Sequence, residues 1–494
     1  MFGREDNSST VALDQITLNG LSLVGLDRLN ILLGKNGCGK SRALKLIEGS
    51  LRGRPETGAI RYLSPERGGL LSYNPGVDQN MSGDRDWLPN TRRRNQVENF
   101  RVQSAAQYRR LELLRLREIE KDPKVRQDPS AVFDTTLDRI NALLDRVIIE
   151  RSDPIFSIRD KSTGTNVAAA DLSSGEAELI SLGIETLVFE RECQDGKQNV
   201  LLVDEPDVHL HPDLQSRFAR FLSGLAQDKS VTILIATHST ALVASLAADP
   251  RSRLAFMRYG DSSLMFAPPT EIDRRLLPIF GAHPLSNVFN EAPALLVEGE
   301  DDERVWQQAV RSSQGQIRIY PCGVDGVSEL HDYELEVSRI LATVYDNGTA
   351  FSLRDRDDAV GPIDDLDGVR RMRLGCRAAE NMFVSDDVLA RIGTPWPVLR
   401  DRIEAWLASN SAHVHYAAMK AFADGGFDRV LGDIKEVRND LVGLAGSNKP
   451  WEVLVGQAIA VLNPGTGTLS PTGLQTMLGA GACQHLLRFS PPGA

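Results

Sequence analysis

The segment Gly34–Ser41, GKNGCGKS, has the spacing G-x-x-x-x-G-K-[ST]; it follows the apolar run LNILL and precedes a helical pattern, SRALKLIEG. That context suits a loop whose backbone N–H groups wrap phosphate oxygens while a helix N-terminus adds positive potential. Gly34, Asn36, Gly37 and Gly39 would shape the cradle, Lys40 would reach the β and γ phosphates of a nucleotide, and Ser41 would ligate Mg2+. A second apolar strand, NVLLVDEP, ends in Asp204, suited to the Mg2+ shell, and Glu205, suited to orienting an attacking water. Between these, DLSSGEAELI sets Ser173 and Gly175 at a helix start, a further phosphate-binding device, and ATHS sets His238 after a third apolar strand.

A second group of acids has no place in nucleotide chemistry. LLVEGEDDE ends an apolar run in Glu298, and FSLRDRDD ends another in Asp355 and Asp357. Loops at the carboxyl ends of parallel strands share one edge of a sheet, so these three carboxylates are expected to converge. Converging carboxylates repel and raise one another's pKa, and they stay ionised only around a cation. Hard oxygen ligands select Mg2+, Mn2+ or Ca2+. Paired Mg2+ or Mn2+ ions suit hydrolysis of a phosphodiester in nucleic acid. Asp302, four residues after Glu298, and Glu380, in CRAAENMF, could complete the shell, whereas Asp301, Glu303 and Asp358 read as charges at helix starts. Arg370, Arg371, Arg373 and Arg377 precede Glu380 and could grip a phosphate backbone; no lysine stands out as their companion.

The elements that must position these groups follow from periodicity. Residues 11–33 alternate apolar and polar and read as a small sheet ending in a buried strand, Leu29–Leu33. Residues 92–122 are highly charged with no Gly or Pro, which predicts one or two long amphipathic helices, projecting from the first domain or lying flat on it. A short helix over Leu137–Val147, a hairpin-like stretch, a helix over Glu176–Arg191 and a helix over Pro212–Gln227 between NVLLVDEP and VTILIATHS complete a first α/β domain, 1–285. Apolar runs alternating with helices over Asp302–Arg311 and Ser328–Ala342 predict a second α/β domain, 290–395, and 396–494 reads as mainly helical.

The chain has 494 residues, 41% hydrophobic and 25% charged, which fits a globular protein of several domains. A net charge of −11 argues against bulk attraction to nucleic acid, so contact with a polyanion would need metal or local basic patches such as TRRRN, Thr91–Asn95. Five scattered cysteines without a CxxC pair, no membrane-length apolar run and no signal-peptide pattern predict a cytoplasmic protein. Cys38, inside GKNGCGKS, reads as a tolerated small residue that would make nucleotide binding sensitive to thiol reagents. His209 and His211 in DVHLHP read as a dimer-contact loop, and His413–His415, HVH, has no acidic neighbour in sequence and reads as surface.

DLSSGEAELI resembles the LSGGQ signature of ABC-type ATPases, with Ser174 and Glu176 in place of Gly and Gln, and the order of the four motifs is that of ABC-type heads of the Rad50/SMC-like branch. The resemblance implies a homodimer through the heads, with Ser173 and Gly175 of one subunit closing over the γ-phosphate held by Lys40 of the other. The usual Gln between the first two motifs is missing from RYLSPERGG, where Ser64 or Glu66 would take its place. LLVEGEDDE, the glycine turn in IYPCGVDGVSEL and LRDRDD resemble, in order, the motifs of the Toprim fold. An ABC-type head followed by a Toprim domain is similar to the OLD (overcoming-lysogenization-defect) nuclease family and to Gabija- and PARIS-type anti-phage proteins. That resemblance implies an ATP-hydrolysing nuclease using Mg2+ or Mn2+, with ATP state restraining or licensing the cutting, acting in defence, alone or with a partner protein. DNA is the favoured substrate; RNA such as tRNA, or a non-cutting scaffold role for the second domain, are the alternatives.

Overall fold

A computed structural model of the chain describes residues 15–64, 97–276 and 292–489, apart from short interruptions at 19, 129–131, 154–155, 229–230, 272, 275, 325, 346–347, 360, 362 and 464–469. The TRRRN patch and Glu66 lie outside the described residues. The chain divides into two compact units, 1–282 and 283–494.

Among its described residues the first unit has ten strands: β1 (Gln15–Leu18), β2 (Leu21–Val24), β3 (Leu29–Leu33), β4 (Thr57–Leu63), β5 (Val147–Arg151), β6 (Phe156–Asp160), β7 (Gln198–Asp204), β8 (Val231–Thr237), β9 (Ser252–Phe256) and β10 (Ser263–Met265). Five of them form a parallel sheet in the order β4-β7-β8-β3-β9. Every residue of β3 is buried, as a strand covered on both faces requires. Leu33 pairs with Thr237 and with Phe256, and Asp204 pairs with Ala236, so the loops after β3, β7 and β8 leave from one edge. A smaller sheet, β1-β2-β10, shares a core with the helix Lys40–Leu51 through Ile16, Leu23, Leu44, Ile47 and Leu264.

In this unit one open alternative is decided and one expectation changes. The charged segment before 122 forms one described helix, Val97–Lys121, that packs along the helix Ser174–Glu192 and does not project. Its Ala105, Tyr108 and Leu111 are fully buried, and Arg191–Glu118 (2.5 Å) and Arg110–Glu192 ion pairs lace the two helices together. The helix expected over Leu137–Val147 is instead Asp134–Asn141, and Val147 opens β5 of the hairpin β5-β6. Leu143, Leu144 and Val147 are buried, but a run this short carries no period that separates helix from strand.

The second unit is built on a parallel sheet in the order β12-β11-β13-β14: β11 (Ala294–Val297), β12 (Tyr320–Gly323), β13 (Ala350–Arg354) and β14 (Val369–Arg373). Val297 pairs with Gly323 and with Leu353, and Arg354 with Arg373, which sets the residues after β11 and β13 side by side. The helices beyond 395 share one hydrophobic core with this sheet, running from Leu295 and Trp306 through Phe383 and Leu399 to Trp451, Leu474 and Phe489. The separation drawn at 395 from the sequence is therefore absent from the packing. The helix Glu300–Ser312 lies against Trp451–Ile459 so closely that a Cβ on Gly456 would stand 2.5 Å from the Val305 carbonyl oxygen. Among the described residues, no helix is long and apolar enough to cross a membrane.

Candidate functional site

The edge after β3, β7 and β8 gathers one constellation. Gly37 (φ 80°) and Gly39 (φ 111°) take backbone conformations that L side chains rarely adopt, which turns the loop 34–39 back on itself. Gly34 has no room for a side chain, since its Cβ would stand 2.6 Å from the Met257 carbonyl oxygen and 2.8 Å from the sulfur of Cys38. Cys38 itself is buried. Lys40 is buried and donates to the carbonyls of Gly34 (2.7 Å) and Lys35 (2.9 Å), with its ammonium 3.5 Å from Glu205. Ser41 follows at the start of the helix Lys40–Leu51.

Asp204 is fully buried and accepts a 2.6 Å hydrogen bond from the Tyr62 hydroxyl, a partner that sequence reasoning missed. Glu205 has φ 43°, a left-handed conformation that costs a non-glycine residue about 1–3 kcal/mol and that clusters at functional positions. His238 Nδ1 lies 3.4 Å from Asp207 and 3.9 Å from Glu205, and Asp207 in turn accepts from Thr237 Oγ1 at 2.5 Å. Lys40, Glu205 and His238 are thus brought together. Ser64, one stand-in for the missing Gln, is buried at the end of β4.

Ser173 and Gly175 open the helix Ser174–Glu192, and their first role is local. Ser173 and Glu176 form a reciprocal capping box, and Arg146 grips Glu176 with two bonds of 3.0 and 2.8 Å. Those bonds hold the Glu176 carboxyl below its ordinary range against the opposing effect of its burial. Gly175 is buried, its Cβ position 3.1 Å from the His209 carbonyl oxygen.

The second constellation stands at the edge after β11 and β13. Glu298 accepts a 3.1 Å hydrogen bond from the Asp355 amide, and Asp355 accepts one of 3.2 Å from the Ala379 amide, beside buried Glu380. Burial first, then the charges of Asp302, Glu298 and Glu380, push the Asp355 carboxyl up to about 9. The same causes, burial and then Glu380 and Glu298, push Asp302 up to about 7, and burial together with Asp357 raises Glu298. Asp357 has φ 46°, like Glu205 a left-handed acid just past a strand.

A lysine faces this group. Lys435 Nζ lies 4.0 Å from Asp355 Oδ2; burial opposes its charge, but Glu380, Asp355, Asp302 and Asp357 outweigh it and hold its pKa above the ordinary lysine value. Its sequence surroundings, GDIKEVRND, carry no signal, and it belongs to the segment read as a separate helical tail. The donor set is all oxygen, and burial followed by the crowding of carboxylates raises Glu298, Asp302 and Asp355, so the residues fit a hard divalent cation. Among the described residues, no three of these carboxylates have ligand atoms all within 4.8 Å of one another. Among the described residues, the three metal-ligating side chains whose ligand atoms all lie within 4.8 Å of one another are elsewhere, at His413, His415 and Asp440.

Several neighbours differ from expectation. The arginines of β14 and beyond are already engaged: Arg370 with Asp365 (2.6 Å), Arg371 with buried Glu334 (2.9 Å), Arg373 with the Gly361 carbonyl (3.0 Å) and Arg377 with Asp358 (3.0 Å). Asp358 is therefore an ion-pair partner, and Glu303 accepts the Gly323 amide at 3.0 Å, tying the helix start to β12. His415 is not partnerless: Asp440 lies 2.6 Å from its Nδ1.

Comparison with known proteins bears on the first unit. A family model described as an AAA ATPase domain matches residues 89–243, which include the 173–176 helix start, Asp204–Glu205 and His238. Protein ea59 of Escherichia phage lambda is 50% identical over 44 residues, 9% of this chain and 8% of that protein, so the chain matches only a small part of its curated relative's length. Among solved structures, the SMC head domain from Thermotoga maritima aligns at 18% identity over 51% of this chain and 96% of its own, with a TM-score of 0.28. The SmcHead bound to the C-winged helix domain of ScpA aligns at 15% identity over 52% and 97%, with a TM-score of 0.31. With the family match and its own motif geometry, the first unit is similar to a P-loop ATPase domain.

Proposed function

We propose that this chain is an ATP-hydrolysing, metal-dependent nuclease of the kind the OLD family resemblance implies, with DNA as its favoured substrate. The observation that carries the proposal is the carboxylate edge: Glu298 and Asp355 meet at 3.1 Å, carboxylate to amide, in a setting that drives their pKa values and that of Asp302 upward. Glu298, Asp302, Asp355, Asp357 and Glu380 would hold divalent ions, Mg2+ or Mn2+. Bound there, such ions supply a lowered water pKa and charge stabilisation at the scissile phosphate. Lys435 stands 4.0 Å from Asp355, where its ammonium would offset charge building on a phosphoryl oxygen.

In the first unit Lys40 would leave its loop carbonyls for the β and γ phosphates, while Ser41 and Asp204 would hold Mg2+. Glu205 would orient the attacking water, with His238 beside it. Ser173 and Gly175 would complete the site of a second subunit, so that nucleotide closes a homodimer of heads. Cytoplasmic host defence, with or without a partner protein, follows the resemblance alone.

Purified protein assayed on double- and single-stranded DNA and on structured RNA, in Mg2+ and in Mn2+, with and without ATP, tests this. Glu298→Gln and Asp355→Asn should each abolish cleavage while ATP turnover stays within about twofold; Lys40→Ala should abolish nucleotide binding and leave metal binding at the carboxylate edge intact. Wild-type protein that cuts none of these substrates would leave the ATPase reading alone standing.

A further inference from the structure

We propose that His413, His415 and Asp440 form a zinc-class transition-metal site on the helical side of the second unit, separate from the carboxylate edge. One ring nitrogen of each histidine and one Asp440 oxygen all lie within 4.8 Å of one another. Two imidazoles and a carboxylate are a borderline donor set, which suits Zn2+ and its first-row neighbours and not the all-oxygen preference of Mg2+ or Ca2+. Three protein ligands leave a fourth position for water, as in open zinc sites.

The two histidines share one loop, and the fold brings Asp440 to them from 25 positions away. His415 immediately precedes the helix Tyr416–Asp424, and Asp440 lies in the first turn of Arg438–Leu444. His413 sits in the loop between the helices Trp396–Ser409 and Tyr416–Asp424, its ring edge-on to Trp406 at 5.0 Å and 5.3 Å from the His415 ring. A hydrogen-bonded His415–Asp440 pair would explain two of these residues; it needs no second imidazole turned toward it. The His415 amide donates to His413 Nδ1 at 3.2 Å, so an ion taken by that nitrogen would replace this hydrogen bond. Tetrahedral zinc with bonds of about 2.05 Å spaces its ligand atoms roughly 3.3 Å apart. Closing from at most 4.8 Å, and opening the 2.6 Å His415–Asp440 contact, are both side-chain adjustments. The ion would pin the start of Arg438–Leu444, whose Arg438 reaches Asp301 at 3.2 Å and which follows the turn bearing Lys435. The site stands on its own ligands and does not depend on the nuclease proposal.

The test is Zn2+ titration of the full-length protein against a chromophoric chelator, with excess Mg2+ present, and Co2+ substitution read by visible absorption. Wild-type protein should bind one Zn2+ that His413→Ala and Asp440→Asn each weaken at least tenfold, and Co2+ should give tetrahedral bands that both variants lose. Glu298→Gln should retain that ion. His413→Ala removes an exposed ring and leaves the His415–Asp440 bond intact, so its loss of binding is not a loss of fold. Equal zinc binding in wild type and variants, or no zinc bound by the wild type at 100 µM, would overturn the assignment.

Discussion

Replacing Asp355 by Asn should stabilise the second unit when metal is withheld. The buried Asp355 carboxyl is pushed from 3.8 up to about 9 by burial and by Asp302, Glu298 and Glu380. A carboxyl whose folded pKa exceeds its unfolded value favours the folded state most below the unfolded pKa. That contribution is lost as pH rises, through about 7 for Asp302 and about 9 for Asp355. At pH 8 the mismatch spans about four units at 1.36 kcal/mol each, a ceiling of about 6 kcal/mol. Sharing of charge with Asp302, relaxation and the nearby Lys435 reduce this, and a gain of about 2 kcal/mol is expected. Asn keeps an oxygen to accept the Ala379 amide, so the substitution removes charge with little loss of bonding. The assay is denaturant unfolding of the full chain in chelator, followed by tryptophan fluorescence. Trp306, Trp396, Trp406 and Trp451 lie in the second unit and only Trp87 in the first, so the signal reports the right half. Wild-type stability should fall between pH 5 and pH 9, and Asp355→Asn should flatten that slope. Mg2+ at a hundred times its dissociation constant should restore about 2.7 kcal/mol to the wild type and much less to the variant. An Asn variant less stable than wild type at pH 8 in chelator, or wild-type stability rising with pH, would refute the electrostatic argument.

Other substitutions test other parts of the account. Tyr62→Phe removes the 2.6 Å hydrogen bond to Asp204, worth about 1.5–3 kcal/mol for a charged acceptor, and should slow ATP turnover roughly tenfold or more without unfolding the protein; turnover and melting temperature measured together check it. Gly34→Ala forces a Cβ to within 2.6 Å of the Met257 carbonyl oxygen and should abolish nucleotide binding, measurable with a fluorescent ATP analogue. Arg61→Met leaves Glu185 (2.8 Å) and Glu192 (2.7 Å) without their buried partner and should destabilise the first unit by about 3–5 kcal/mol in calorimetry. Lys435→Met should lower nuclease activity at least a hundredfold while Mn2+ affinity changes little, a split that separates charge stabilisation from ligand loss.

What the sequence made legible is what local pattern can encode. A buried run such as Leu29–Leu33 stopping at a glycine loop, or Leu295–Val297 stopping at Glu298, identifies a strand end and the residue displayed there. Parallel pairing then brings such ends to one edge, as the register of Val297 with Leu353 does. Groups whose role depends on distant chain were not legible. Tyr62 reaches Asp204 across 142 positions, and Lys435 reaches Asp355 from a helical segment whose own pattern only signals packing. Asp440 meets His415 from 25 positions away. The arginines after Val369 misled for the same reason: composition shows charge, while Asp365, Glu334 and Asp358, which engage three of them, are set by the fold.

The most direct test of the central claim is to locate Mn2+ by anomalous scattering in crystals of the full chain. The account predicts Mn2+ at the edge after β11 and β13, with Glu298 and Asp355 oxygens at about 2.0–2.3 Å and a further ligand from Asp302, Asp357 or Glu380. Mn2+ bound beside Ser41 and Asp204 but absent from this edge at saturating concentration would contradict it.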